Sequence, residues 1–271
     1  MKAPHLIQVA SGKGGVGKTW ASVTLADALA SDARKVLLFD GDFGLANIDV
    51  QLGLTPKHDL GSVIAGRAKF SEAITQYRIP SVAGFEAGAR FDVLAGKSGS
   101  GALSSLSRDE VEEFKRGLML LSDRYDHIVT DLASGLDAST LSLCMVGSTT
   151  LVVVTDEPTS LTDAYAFIKL LSFQDPAADI RVVVNMAADN AQGTRTYAAL
   201  TNATRNFLGL SPLLAGVIPR DDLVRDAIRN QSPLLFRHPQ SKAAQAMRKI
   251  AQDLSIPAPF HKSETRVTAS A

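Results

Sequence analysis

A chain of 271 residues, 45% of them hydrophobic, is long enough to bury a sizeable core as one large α/β domain or two small ones. Its 28 basic and 28 acidic residues cancel, so no global field draws it to nucleic acid or anionic lipid, and any such contact must come from a local patch. The single cysteine, Cys144, excludes an internal disulfide and lies in the apolar run LSLCMVG, where it reads as a small buried hydrophobe in a reducing compartment. No apolar run approaches the roughly 18 residues of a membrane span, and MKAPHLIQVA leaves no room for a signal peptide, so the expected location is the cytoplasm. The five histidines are scattered without metal-ligand spacing.

In chain order, the apolar run Leu6–Ala10 reads as a strand. A glycine-rich turn follows (Gly12, Gly14, Gly15, Gly17), then Lys18-Thr19 and the helical period of Ala21, Leu25, Ala28 and Leu29. Such a loop closes backbone N–H groups on phosphate oxygens where a Cβ would intrude, and the helix behind it points its positive dipole end at the anion. Gly12-x-x-x-x-Gly17-Lys18-Thr19 matches a P-loop, with Lys18 reaching the β/γ-phosphates and the Thr19 hydroxyl ligating Mg²⁺. The same glycines also spell G-x-G-x-x-G, with Asp40 about twenty residues on, as in a dinucleotide-binding oxidoreductase. Lys18-Thr19 discriminates, because a Mg-triphosphate needs both residues and a dinucleotide needs neither.

Lys35–Asp40 reads as a strand buried on both faces, residues 57–78 as two short helices broken at Gly66, and Arg90–Ala95 as a strand. Ser107 with Glu110 forms a capping box before Val111, Phe114 and Leu118, predicting a helix to about Asp123. His127–Asp131 is a strand with the acid at its C-terminal end, and Thr150–Thr155 another. Ser160 with Asp163 caps a helix to about Phe173. Then follow strand Asp179–Asn185, helix Thr194–Leu208, strand Leu213–Ile218, and helices Asp221–Arg229 and Ser241–Leu254. The alternation implies a doubly wound, mostly parallel sheet with helices on both faces. Residues 1–254 are expected as one domain, with Pro257–Ala271 a loose tail.

Ligands of such sheets sit outside the C-terminal strand ends, so Asp40, Asp42 and Asp131 converge on the loop. Asp131 with Leu132-Ala133-Ser134-Gly135 has the form of a Walker B carboxylate followed by a γ-phosphate-sensing glycine. Of the pair Asp40 and Asp42, one stands near Mg²⁺ and the other near an attacking water, the bland alternative being a capped turn in DGDFG.

Lys13–Thr19, KGGVGKT, resembles the deviant Walker A motif of the MinD/ParA family, and with DGDFGLANID, DLASG, VVVNM and GVIPRDD the resemblance covers about 10–254. DGDFGLANIDVQLGL and DEPTSLTDAYAFIKLL are most similar to the flagellar-number branch, FlhG or FleN. The resemblance implies a SIMIBI-type P-loop ATPase forming an ATP-sandwich homodimer, in which Lys13 crosses to the partner's nucleotide and hydrolysis depends on dimerisation. It implies contacts to ATP from Gly12, Lys13, Gly14, Gly15, Val16, Gly17, Lys18, Thr19, Trp20 (through its backbone N–H) and Gly135. Asn185 and Pro219 fall where the family contacts adenine. Thr19, Asp40 and Asp131 order Mg²⁺, and Asp42 orients the water. Trp20 departs from the family, which has a second hydroxyl there on the α-phosphate, and only Met1–His5 precede the strand where FlhG members carry a FlhF-activating extension.

The implied role is control of flagellar number or placement, with FlhF or the C-ring as partner. The alternatives are a division-site or cargo-positioning ATPase and, from another class, a non-hydrolysing regulatory binder. The final helix has a narrow apolar stripe (Ala243, Met247, Ile250, Leu254) that reads as core-facing, leaving only weak, dimer-dependent contact with the inner membrane or cell pole open. From Arg220 to Leu254 seven basic residues face four acidic ones, too few for a binder that neutralises phosphates, and no sequence-specific nucleic acid is expected. Tyr165, Phe167 and Phe173 read either as a nucleotide-dependent protein-docking face or as core.

Overall fold

The computed structural model describes residues 5–31, 34–42, 44–79, 89–96, 108–136, 138–145 and 147–255. Eight strands form one sheet: β1 (His5–Ser11), β2 (Val36–Gly41), β3 (Ile74–Arg78), β4 (Ala89–Leu94), β5 (His127–Ser134), β6 (Thr149–Val154), β7 (Asp179–Ala187) and β8 (Leu213–Pro219). Their order is β3-β4-β2-β5-β1-β6-β7-β8, and every neighbouring pair is parallel except β3–β4. The chain builds outward from β1 on one side, returns through β5, and continues through β6 to β8 on the other. A crevice therefore opens at the C-terminal ends of the central strands.

The helices are α1 (Lys18–Ala30), α2 (Ile48–Leu52), α3 (Leu60–Ile64), α4 (Phe70–Ala73), α5 (Arg108–Ser122), α6 (Ala138–Leu143), α7 (Pro158–Gln174), α8 (Asn190–Leu208), α9 (Asp222–Arg229), α10 (Leu234–Arg237) and α11 (Lys242–Ser255). Strand alternation feeds two cores. Val36 and Leu38 of β2 pack with α1 and α11 residues, whereas Leu37 and Phe39 pack with Phe114 of α5 and Phe167 of α7. The expected doubly wound sheet with helices on both faces is what forms.

Several local expectations are corrected. Ile74–Arg78 is an antiparallel edge strand and not the second half of a helix, its Tyr77 ring stacking on Phe91 of β4 at 5.2 Å. The Ser160–Asp163 cap does not form: α7 begins at Pro158, and the Ser160 hydroxyl instead accepts the Thr155 amide at 3.0 Å. Strand β5 runs three residues past Asp131, and α8 starts at Asn190 because Asp189 caps it by accepting from the Gln192 amide at 2.7 Å. Helices α2, α6 and α10, at four to six residues, are too short to show a period and were not legible. The Ser107–Glu110 capping box and Pro257–Ala271 lie outside the described residues.

Helix α11 turns Ala243, Met247, Ile250 and Leu254 into the core against α1 and β8, which is the core-facing reading of that stripe. No helix among the described residues is long and apolar enough to cross a membrane. Cys144 is buried, and burial pushes its thiol up to about 12, so it is not a thiolate at neutral pH.

One buried ion pair ties β4 to the core of α1. Asp27 is fully buried, its Oδ1 accepts from Arg90 Nε at 2.9 Å, and its Oδ2 has no hydrogen-bond partner among the described residues. Burial raises the Asp27 pKa, and the Arg90 guanidinium offsets this only in part. Arg90→Ala leaves the carboxylate without its counter-charge and should lower stability by about 2–3 kcal/mol at pH 7.5 in urea unfolding. The loss should shrink as pH falls and protonation neutralises the Asp27 carboxylate, and Asp27→Asn in the same chain should recover part of it. An unchanged urea midpoint in Arg90→Ala would show the pair to be energetically idle.

Candidate functional site

The loop 12–17 joins β1 to α1 at the C-terminal edge of the sheet, between the central strands. Two of its glycines are obligatory for different reasons. A Cβ on Gly12 would stand 2.3 Å from the backbone of Asp163, so the loop is pressed directly onto α7. Gly17 caps α1 at φ 87°, a left-handed conformation, with the Asn185 side chain 2.4 Å from where its Cβ would be.

Among the described residues none of the amides of Gly14, Gly15, Val16 and Gly17 has a hydrogen-bond acceptor. Together with the orphan N–H groups of the first turn of α1, they form a set of donors suited to phosphate oxygens. Trp20 contributes only its backbone amide to that turn. Its indole is 5% exposed in the α1–α11 core, and the indole N–H has no acceptor among the described residues. The hydroxyl that the family places there is therefore lost to packing.

Behind the loop lies a buried charge network. Lys18 is 6% exposed and its Nζ donates to Asp131 Oδ1 at 2.8 Å, the same oxygen that accepts from the Ser22 hydroxyl at 2.9 Å. Asp40 stands beside Asp131 in register on the neighbouring strand and is fully buried. Burial first, and the Asp131 charge second, raise Asp40 to about 7, although its carboxylate accepts from the amides of Ile48, Asp42 and Asn47. A cation placed between these two carboxylates would relieve both effects, so the donor set of Asp40, Asp131 and the half-buried Thr19 suits Mg²⁺.

The remaining expected residues are placed as follows. Lys13 is held within its own chain, its ammonium paired with the Glu157 carboxylate and donating to Thr159 Oγ1 at 2.8 Å, both at the start of α7. Asp42 lies just past the end of β2 and caps the next turn, accepting from the Gly44 and Leu45 amides at 3.3 and 2.9 Å. Gly135, at φ 112°, donates its amide to the Ser11 carbonyl at 3.0 Å, fastening the end of β5 to the start of the loop. Asn185 donates to the Val16 carbonyl at 2.8 Å, and Pro219 ends the adjacent strand on the wall of a cavity of about 840 Å³.

Three contributors escaped the sequence reading. Ser22 had a signal, since i and i+4 share a helix face with Lys18. Glu157 and Thr159 had none, because only the fold brings them to residue 13.

The nucleotide-binding domain model of the CobQ/CobB/MinD/ParA family matches residues 7–234. The chain belongs to that family. The antiactivator FleN of Pseudomonas aeruginosa is 40% identical over 93% of this chain and 86% of its own, and the flagellum site-determining protein YlxH of Helicobacter pylori is 31% identical over 90% and 80%. Among solved structures, the septum site-determining protein MinD of Pyrococcus horikoshii, complexed with Mg-ADP, superposes at a TM-score of 0.74 with 26% identity, covering 93% of this chain and 96% of that one. The MinD/ParA resemblance and its nucleotide-dependent ATPase class are thereby borne out, and the dinucleotide alternative is set aside. MinD/ParA-type chemistry needs ATP and Mg²⁺, and the loop donors and paired carboxylates fit both.

Asp40 gives this site a pH signature. Its native pKa, about 7, lies above the ordinary 3.8, so the nucleotide-free native state holds a proton that the unfolded state has released. The sign of linkage is that stability falls as pH rises from about 4 through about 7. Asp40→Asn should remove this component, worth on the order of 3 kcal/mol between pH 5 and 8. Parallel pH profiles of urea midpoints for wild type and Asp40→Asn would disprove the shift.

Proposed function

We propose that the chain is an ATP-hydrolysing switch of the MinD/ParA type that regulates flagellar number or placement. It alternates between a nucleotide-free or ADP-bound monomer and an ATP-bridged homodimer. The observation that carries the reading is the run of four amides, Gly14–Gly17, that donate to nothing in the described protein while Lys18 waits behind them. The 40% identity to FleN and 31% to YlxH carry the flagellar part.

The residues act as follows in this proposal. Arriving phosphate competes with Asp131 for Lys18, and Mg²⁺ held beside Asp131 would replace the counter-charge that this carboxylate loses and would supply Lewis-acid stabilisation of the phosphate oxygens. Thr19, Asp40 and Asp131 hold or order its shell. Lys13 must leave Glu157 and Thr159 to reach the nucleotide of the other subunit, where it neutralises developing charge as an arginine finger does. Asp42 turns from its capped turn to orient the attacking water, Gly135 senses the γ-phosphate, and Asn185 and Pro219 contact the adenine. Residues 1–254 act as one domain in the cytoplasm, and the partner is the flagellar FlhF or C-ring. Flagellar control is preferred to division-site or cargo positioning because FleN is more similar to this chain than the MinD relatives, at 40% against 29% for MinD of Bacillus subtilis.

Light scattering after size exclusion, with Mg-ATP or Mg-ADP, tests the switch. Wild type should double in mass only with ATP. Lys18→Ala should lose nucleotide binding altogether, and retained affinity would refute its assignment. Lys13→Ala should bind ATP within about threefold of wild type yet stay monomeric. Asp42→Ala should accumulate dimer and hydrolyse at least about tenfold more slowly. A mass indifferent to nucleotide sinks the sandwich. For the flagellar role, a strain lacking this gene should show an altered flagellar count that wild type restores and Lys18→Ala does not; an unchanged count would move the role to division or cargo.

A further inference from the structure

Three hydroxyls on α1 and its C-cap reach back toward the carbonyl four residues earlier. Thr24 donates to the Trp20 carbonyl at 2.7 Å and Ser31 to that of Asp27 at 2.9 Å, the ordinary use of such a group in a helix. Ser22 differs. It stands off its own carbonyl, that of Lys18, at 3.1 Å, and its oxygen lies closer, at 2.9 Å, to Asp131 Oδ1. A hydroxyl has one hydrogen and both of these neighbours are pure acceptors, so Ser22 serves them one at a time. The ionised carboxylate is the nearer and the stronger acceptor.

The choice matters because Oδ1 is also the oxygen that receives Lys18 Nζ at 2.8 Å, while Asp131 Oδ2 makes no hydrogen bond among the described residues. Both donors converge on one oxygen and leave the other with its lone pairs available to a cation. Lys18, Ser22 and Asp131 are all buried, so water is a poor substitute for either donor. Phosphate arriving at the loop draws Lys18 off Oδ1. A buried carboxylate oxygen stripped of its donors costs its full desolvation penalty. Asp131 would avoid that cost by rotating about χ2 or by holding Lys18 back, and either movement competes with offering Oδ2 to a metal.

We propose that Ser22 is a positioning residue of the magnesium site: it keeps Asp131 Oδ1 bonded when Lys18 leaves for the phosphate, and so keeps Oδ2 available to Mg²⁺ or to a water of its shell. The inference rests on the magnesium-nucleotide chemistry of the family and not on the flagellar reading. Ser22 moves no heavy atom to do this, because its hydrogen turns about the Cβ–Oγ bond and α1 already fixes its oxygen one turn after Lys18. Thr19 would meet the metal itself, whereas Ser22 acts only through Asp131. Groups that orient a metal's carboxylate change metal affinity by roughly 10–100-fold, and a single neutral hydroxyl belongs at the lower end. Without nucleotide, Lys18 still satisfies Oδ1, so loss of the hydroxyl is felt on binding more than on folding. A hydroxyl that only backed the helix would show the reverse pattern.

The test is calorimetric titration of the full chain with ADP over a series of Mg²⁺ concentrations and in EDTA, beside thermal unfolding without nucleotide. ADP keeps dimerisation and hydrolysis out of the readout. Ser22→Ala should hold the nucleotide-free thermal midpoint within about 3 °C of wild type. The Mg²⁺ concentration that half-saturates its ADP complex should rise about tenfold. Ser22→Thr, which retains the hydroxyl, should bring that concentration back to within about twofold of wild type. A Mg²⁺ requirement in Ser22→Ala within about twofold of wild type overturns the proposal, and a lowered midpoint beside it would make Ser22 a packing residue. A Ser22→Thr chain with the wild-type midpoint and the Mg²⁺ requirement of Ser22→Ala overturns it as well. Wild-type ADP affinity that is the same in Mg²⁺ and in EDTA would overturn the magnesium reading of the site and this inference with it. A wild-type Mg²⁺ dependence that Ser22→Ala shares unchanged overturns this inference alone.

Discussion

The ammonium of Lys18, buried 2.8 Å from Asp131, is the interaction on which the site depends. A charge this deep must be paired, since an isolated one costs several kcal/mol even after relaxation. Before phosphate arrives, Asp131 is the partner that makes the position tolerable, and Ser22 completes that oxygen's coordination. The pair thus keeps the loop in a binding-ready form without an anion in it. It also makes phosphate binding an exchange of partners, so the energy released at the loop reaches β5 through the same carboxylate.

That exchange has consequences one strand away, because parallel pairing puts Asp40 directly beside Asp131. Two carboxylates this close and this dry do not both ionise easily, and the lifted Asp40 pKa expresses it. Asp40 accepts three backbone amides from the segment after β2, including that of Asp42. Charge changes at Asp131 are therefore felt by the turn that carries Asp42. The chain needs no long-range pathway for this, only adjacent strands and a carboxylate whose acceptor capacity is shared.

Most of the fold was legible because parallel strands buried on both faces read as continuous apolar runs, as in TLVVVT or RVVVN, and the glycine loop marks its own location. The failures have physical causes. ITQYR reads as helix in the sequence because five residues carry little period; cross-strand stacking of Tyr77 on Phe91 decides it as strand. Ser160 has the residue type of a cap, yet Pro158 already fixes the helix start and the hydroxyl is spent on Thr155. At the site, Gly12, Lys18 and the strand-end acids were readable from spacing. The in-chain hold on Lys13 was not, since Glu157 is 144 residues away and only the β1–β6 pairing brings the two together. Trp20 lies in the first turn of α1, but its side chain goes to the core, a choice that sequence spacing does not encode.

Helix α7 is the element through which these observations meet. Its first turn holds Lys13, and the backbone at Asp163 receives Gly12 too closely for any side chain. A helix is stiff along its axis, so release of Lys13 and any shift of the loop at Gly12 act on one rigid body. The loop cannot tighten on a phosphate without either carrying α7 with it or opening a gap at Gly12. Close packing disfavours the gap, because interiors transmit displacement better than they absorb it.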